Sequence, residues 1–389
     1  MIKNVLEGSE VGFLKGITQQ SVIENMERFP QLIIFLSVIF LVSALANAHV
    51  KSLIVFGDSL FDPGNNRYIK NCTVQANFPP YGSTYFNRPT GRFTNGRTVA
   101  DFIAQYLGIK FQKPYQKLYG NHLGSIIHKL LPVPANGINF ASAGSGILPE
   151  TNKYAGVTPI QIQLQQFEEL IDHKHLHRNQ ISQSLFLLEA GSNDIFTYFL
   201  ASDHSKLTPM SYVDAMLREV GNFLDLIYKQ GARKIAIFSV GPMGCIPGRV
   251  NLPKATDKRC FEGANKMVKY YNYGLERLAY SIPRKYPGAI GVYAEVFNTV
   301  QRFRLRPRLH GYSNVNSACC GAGALNGKVQ CGEKSYKLCS NPNEYLFWDY
   351  FHPSEHTYEL VSKILWAGSR YAIRPINLRT LANITLPST

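Results

Sequence analysis

Acidic side chains are scarce in this chain: 26 Asp and Glu face 41 Lys and Arg over 389 residues, a formal charge of +15. Such a surface favours acidic polymers or membranes as partners. No nucleic-acid motif accompanies it, so the charge does not indicate nucleic acid. The apolar segment Leu32 to Ala46 covers 15 residues, short of the roughly 20 a membrane span needs, which makes a retained anchor the minority reading. There is no internal repeat, low-complexity block or linker after residue 48, which excludes repeat arrays and points to one domain. No G-x-S-x-G elbow occurs, which argues against the α/β-hydrolase architecture. Gly321-Ala322-Gly323 does not complete a dinucleotide fingerprint, and His352 with His356 does not make a zinc motif. The run His173, His175 and His177 reads as a solvated helix end rather than a metal site.

What is present supports a large folded core, since 45% of the residues are hydrophobic. Leu32 to Ala46 is followed by Ala46-Asn47-Ala48, the small-x-small pattern of a secretory cleavage site. The expected organisation is therefore an upstream extension over 1–25, a signal peptide over 26–48 with cleavage after Ala48, and one domain over 49–389. The leader carries three basic residues (Lys3, Lys15, Arg28) against four glutamates (Glu7, Glu10, Glu24, Glu27), so its removal raises the charge to +16. Seven cysteines in an oxidising compartment are expected to pair. The expected bridges are Cys245 with Cys260 and two among Cys319, Cys320, Cys331 and Cys339, with Cys72 left over. Asn71-Cys72-Thr73 and Asn383-Ile384-Thr385 are glycosylation sequons.

The stretch Ser52 to Asn66 organises the remainder. Leu53-Ile54-Val55-Phe56 reads as a buried strand that breaks at Gly57, placing Ser59 at the carboxyl edge of a sheet, where open α/β folds bind ligands. Further strands are expected at Gly137–Ala141, Ser184–Glu189, Lys234–Val240 and Ala289–Ala294. Helical patterns fall at Thr98–Leu107, Ile160–Ile171, Ser211–Lys229, Asn265–Ser281 and Ser354–Gly368. This alternation implies a mostly parallel sheet covered on both faces. Polar clusters around Ser59, Gly144 and Asn193 follow three of the strands, and Asp349 with His352 lies in the final loop, so the sheet can bring them together. A serine hydroxyl needs a base, here His352, and the base needs an orienting group, here Asp349. The Ser59 and Gly144 N–H groups and the Asn193 amide are the candidate oxyanion donors.

Phe56-Gly57-Asp58-Ser59-Leu60 resembles the first block of the GDSL esterases and lipases, within the SGNH hydrolase superfamily. Gly144 is similar to the glycine of the second block, with Gly146 as the alternative; Gly191-Ser192-Asn193-Asp194 resembles the third block, G-x-N-D, and Asp349 to His352 the last, D-x-x-H. Asp62-Pro63-Gly64-Asn65-Asn66, Pro89 to Gly96 and Ala318-Cys319-Cys320-Gly321 resemble the plant branch. The resemblance runs from about 53 to 368. It implies a flavodoxin-like three-layer α/β/α sandwich (the SGNH hydrolase fold), expected here with five strands. It further implies a secreted, extracellular serine hydrolase of carboxylic esters, in the apoplast or cell wall, acting as a monomer without metal or cofactor.

Two other functions share these residues: acyl transfer to build an extracellular polyester, and a low-activity secreted binding or defence-associated protein on the same fold. Arg302, Arg304, Arg306 and Arg308 depart from the family pattern. They read most simply as a solvated loop, and alternatively as a docking patch for anionic polysaccharide or lipid head groups. The loops Asp62–Tyr85 and Ser313–Asn343 are expected to shape the substrate pocket, and Asp58 to brace the nucleophile loop.

Overall fold

A computed structural model describes residues 50–120, 131–200, 207–333 and 335–386. The expected extension, signal peptide and cleavage position lie outside the described residues. Eleven strands are formed among those described: β1 (Leu53–Gly57), β2 (Lys113–Pro114), β3 (Gly137–Asn139), β4 (Leu185–Glu189), β5 (Lys234–Phe238), β6 (Ile290–Ala294), β7 (Asn314–Ala318), β8 (Cys320–Gly321), β9 (Lys337–Leu338), β10 (Tyr345–Phe347) and β11 (Ile373–Arg374). Nine α-helices accompany them: α1 (Val99–Tyr106), α2 (Ile160–Asp172), α3 (Arg178–Gln183), α4 (Ser192–Leu200), α5 (Pro209–Lys229), α6 (Glu262–Lys285), α7 (Val296–Leu305), α8 (Glu355–Ala367) and α9 (Leu378–Asn383).

The central sheet has seven strands, in the order β11-β6-β5-β4-β1-β3-β2, and every pairing but β11 with β6 is parallel. Five were expected; the two additions, β2 and β11, are two-residue edge strands too short to leave a periodic pattern. Strand β1 is wholly buried, as the apolar run Leu53-Ile54-Val55-Phe56 requires when both faces of a parallel sheet are covered. Helices α2, α5 and α6 pack on one face, and α1, α8 and α9 on the other. Phe56 anchors the first face, meeting Phe140 at 5.0 Å and Phe223 at 5.1 Å between ring centroids; burying such a ring contributes about 1.5–3 kcal/mol.

Chain direction across the sheet reverses around β1. The chain leaves β1 for β2 and β3 on one side, then crosses to β4, β5 and β6 on the other, and the crevice at such a switch opens above the strand carboxyl ends. Gly57 closes β1 against β4: its φ is +153°, and a Cβ there would stand 2.3 Å from the Glu189 carbonyl oxygen. Only glycine permits that approach.

The Pro89 to Gly96 segment anchors α1. Arg92 Nε and Nη2 donate to Asp101 Oδ2 and Oδ1, each at 2.7 Å, and Nη1 donates to the Pro63 carbonyl. Asp101 also accepts from the Thr98 backbone N–H in a capping box. Two expectations are corrected. Arg302 to Arg308 is not a loop: α7 runs to Leu305 and a 3-10 turn covers Pro307–His310, because Phe297, Val300 and Phe303 bury one helical face and Glu295 caps Asn298. The histidine run is not wholly solvated, since His175 is buried against the Tyr119 ring at 5.6 Å.

The disulfides are Cys245–Cys260, Cys319–Cys339 and Cys320–Cys331, with Cys72 free and buried. Replacing Arg92 by Ala strands the Asp101 carboxylate in the interior, and urea unfolding should find stability lower by about 3–5 kcal/mol. A loss below about 1 kcal/mol would mean that this pair is not what secures α1.

Candidate active site

Ser59 follows β1 by two residues, in a turn closed by the Asp58 carbonyl, which accepts from Phe61 N–H and Asp62 N–H. Asp349 and His352 follow β10. The β10 loop is sewn down by backbone bonds: Trp348 N–H to the His352 carbonyl at 2.8 Å, Cys319 N–H to Phe347 at 3.0 Å and Cys320 N–H to Trp348 at 2.7 Å. Ala318-Cys319-Cys320-Gly321 thus pins the segment carrying Asp349, and two disulfides pin that stretch in turn.

The three side chains form one relay. His352 Nε2 lies 2.8 Å from Ser59 Oγ, and His352 Nδ1 lies 2.7 Å from Asp349 Oδ1 and 2.9 Å from Oδ2. A carboxylate at Nδ1 holds the proton there and leaves Nε2 as the acceptor facing the hydroxyl. Asp349 is fully buried and is satisfied by further donors: Tyr81 Oη–H at 2.7 Å, Phe351 N–H at 2.9 Å and His352 N–H at 2.8 Å. Burial and the Asp349 charge hold the Tyr81 phenol protonated, its pKa well above the ordinary value. The Phe93 ring stands 4.9 Å from the imidazole. Tyr81 escaped sequence reasoning, because nothing in Pro79-Pro80-Tyr81-Gly82 announces a partner 268 residues away.

The candidate oxyanion donors differ in readiness. Neither the Ser59 nor the Gly144 backbone N–H has a partner among the described residues. Gly144 has φ +81°, and a Cβ there would lie 3.2 Å from Val74 and Val157, so this position requires glycine. Gly146 has another constraint, since its Cβ would meet the Asp194 carboxylate at 2.5 Å. Asp194 accepts from Ile147 N–H, Leu148 N–H and Thr151 Oγ–H, tying the second block to the third; burial raises its pKa to about 6. Both amide hydrogens of Asn193 are engaged, by the Ser145 carbonyl at 2.9 Å and Asp58 Oδ2 at 3.1 Å. The first block joins the second likewise: Asp62 accepts from Gly64, Asn65 and Ala143 N–H, and Asn65 Nδ2 donates to the Asn139 and Ala141 carbonyls.

Beneath Ser59 lies an acid pair. Asp58 Oδ1 accepts from Leu60 N–H, bracing the nucleophile turn. Glu189, the last residue of β4, is buried beside it with no well-formed hydrogen bond to either oxygen, the Ser192 hydroxyl being its one weak donor. Burial, then the Asp58 charge, pushes the Glu189 pKa well above the ordinary 4.5, and burial also raises that of Asp58. Glu189, the member with fewer donors, is the one held protonated and can offer that proton to Asp58.

Ser59, Asn193 and His352 line a cavity of about 70 Å³ whose walls are Leu60, Met243, Ile246, Val296, Val300 and Phe351. Gly144 is not among its lining residues, and neither loop expected to shape the pocket, 62–85 or 313–343, contributes one. Those loops brace the relay instead; the wall comes from the segment after β5, from α7 and from the residues flanking Ser59 and His352. The arrangement suits proton removal from a serine beside an apolar group. Among the described residues no cluster of His, Cys, Asp and Glu is built to hold a metal ion.

The GDSL-like lipase/acylhydrolase family model matches residues 53–365. The chain is similar to GDSL esterase/lipase 6 of Arabidopsis thaliana, 54% identical over 341 residues that cover 88% of this chain and 93% of that protein. It is also similar to GDSL esterase/lipase 5 of the same plant, 33% identical over 86% of this chain and 88% of that one. A GDSL lipase of Tanacetum cinerariifolium is 31% identical over 87% of this chain and 89% of its own length.

Glu189→Gln tests the acid pair, because the amide keeps a neutral donor that cannot ionise. With the folded pKa raised, the wild type releases a proton on unfolding above about pH 4.5, so its stability falls as pH rises through the folded pKa. The variant lacks that slope. Urea midpoints should therefore separate in its favour as pH rises above about 4.5, and parallel midpoints would contradict a protonated Glu189.

Proposed function

The chain belongs to the GDSL-like lipase/acylhydrolase family and is a carboxylic ester hydrolase, and on that premise we propose that it works through a Ser59–His352–Asp349 acyl-enzyme mechanism. The unbroken relay carries this reading, with 2.8 Å from hydroxyl to imidazole and 2.7 Å from imidazole to carboxylate. His352 Nε2 takes the Ser59 proton as Oγ attacks the ester carbonyl, and Asp349 stabilises the imidazolium. The developing oxyanion takes the free N–H groups of Ser59 and Gly144; Asn193 becomes the third donor by releasing Asp58 or Ser145. Imidazolium then protonates the leaving alcohol. Water, deprotonated by the same His352, attacks the acyl-enzyme and frees the acid.

The apolar walls formed by Met243, Ile246, Val296, Val300 and Phe351 support the acyl chain as the part of substrate that enters the cavity, with the alcohol at its mouth. This favours fatty-acyl esters over acetylated sugars. Three disulfides and the exposed sequon residues Asn71 and Asn383 support an extracellular, glycosylated protein. The arginines from 302 to 308 support contact with an anionic surface.

Ser59→Ala should abolish p-nitrophenyl ester hydrolysis and fluorophosphonate labelling together; full retention of hydrolysis would refute the nucleophile. Tyr81→Phe removes one charge-assisted hydrogen bond to Asp349, for which a kcat lower by about tenfold with KM unchanged is expected. An unchanged kcat would show that the other donors suffice. In a chain-length series of p-nitrophenyl esters, kcat/KM should rise beyond acetate; a maximum at acetate would favour small acyl groups.

A further inference from the structure

Helix α7 joins the cavity to the protein surface. Val296 and Val300 in its first turns line the wall beside Ser59 and His352, while Phe297, Thr299 and Phe303 face the core. Five residues past Val300, about 8 Å along a helix axis, Leu305 ends α7 with 80% of its surface exposed; Leu309, on the following 3-10 turn, is 74% exposed. Arg302, Arg306 and Arg308 are exposed around them, and Arg304 is partly buried. Arg302 bonds to the Asn298 carbonyl and Thr299, and Arg304 to Gln301 and Asn316. Among the described residues no carboxylate forms an ion pair with any of the four.

Uncompensated arginines alone would serve any polyanion. Two large leucines held in water among them serve only a partner that offers an apolar layer beneath its charges. An anionic lipid surface has both, with head groups for the guanidinium groups and acyl boundary for Leu305 and Leu309; a hydrated acidic polysaccharide would leave the leucines wet. We propose that Leu305 and Leu309, with Arg302, Arg306 and Arg308, form a docking surface for anionic lipid, and that α7 thereby couples the lipid surface to the acyl cavity. The coupling to substrate rests on the ester-hydrolase reading; the docking does not.

Three proteins decide this: the wild-type chain, Leu305→Ser with Leu309→Ser, and Arg302→Gln with Arg306→Gln and Arg308→Gln. Each is sedimented with phosphatidylcholine vesicles with and without phosphatidylglycerol, retained on polygalacturonate, and assayed on soluble p-nitrophenyl acetate. Wild type should partition to the anionic vesicles, less so at high salt. The leucine variant should lose roughly a hundredfold at every salt concentration, and the arginine variant up to about a hundredfold at low salt, near fivefold per charge. Both variants should hydrolyse the acetate ester as wild type does, which also reports their folding. No vesicle binding by wild type, or vesicle binding indifferent to the leucines, would overturn the proposal. Polygalacturonate retention that needs the arginines but not the leucines would assign the patch to polysaccharide instead. Vesicle binding that depends on the leucines, in a protein inert toward the acetate ester, would uphold the docking surface and count against the catalytic reading.

Discussion

A buried carboxylate governs the geometry of this protein. Asp349 is fully enclosed, and an ionised group there is tolerated only when donors surround it. The Tyr81 hydroxyl, two backbone N–H groups and the His352 ring supply them. Satisfying that charge sets the imidazole tautomer and turns Nε2 toward Ser59. It also accounts for much of the architecture around it, since Tyr81 arrives on a long loop, and β10 is clamped by a disulfide-stapled stretch.

Around Ser59, buried carboxylates recur with a different task. Asp62 accepts from the Gly64 and Ala143 N–H groups and Asp194 from those of Ile147 and Leu148, and so the two tie three strand-end loops into one platform. Asp58 and Glu189 stand as a buried acid pair beneath Ser59, burial raising the pKa of both. None of these carboxylates needs to touch substrate; they hold glycine-rich turns in place where helix and sheet bonds stop. An oxyanion site made of backbone N–H groups depends on such bracing, because its donors are only as well placed as the turns that carry them.

Much of this was legible in the chain itself. Leu53-Ile54-Val55-Phe56, Ser184 to Glu189 and Lys234 to Val240 are apolar and bounded by turn residues, so the buried parallel strands could be read within two residues of their ends. The two-residue strands β2 and β11 could not, since pairing defines them and pattern does not. Arg302 to Arg308 reads as loop because the arginines hide the helical spacing that Phe297, Val300 and Phe303 set. The cavity wall was assigned to the wrong loops: length and polarity mark a loop but do not say whether it faces substrate or braces the site behind it.

Residue chemistry and order along the chain therefore determined the fold class and singled out Ser59, His352 and Asp349 as the candidate relay, while spacing left the cysteine pairing open. Those are local or ordered signals: an apolar run, a D-x-x-H spacing, a glycine after a strand. Tertiary structure alone decided that Tyr81 meets Asp349, that Glu189 is buried beside Asp58, that both Asn193 hydrogens are engaged, and that α7 runs from the cavity beside Ser59 to a leucine and arginine surface. Each of these depends on groups tens to hundreds of residues apart arriving within a few ångströms. Packing of helices on a shared sheet creates such meetings, and no local pattern encodes them.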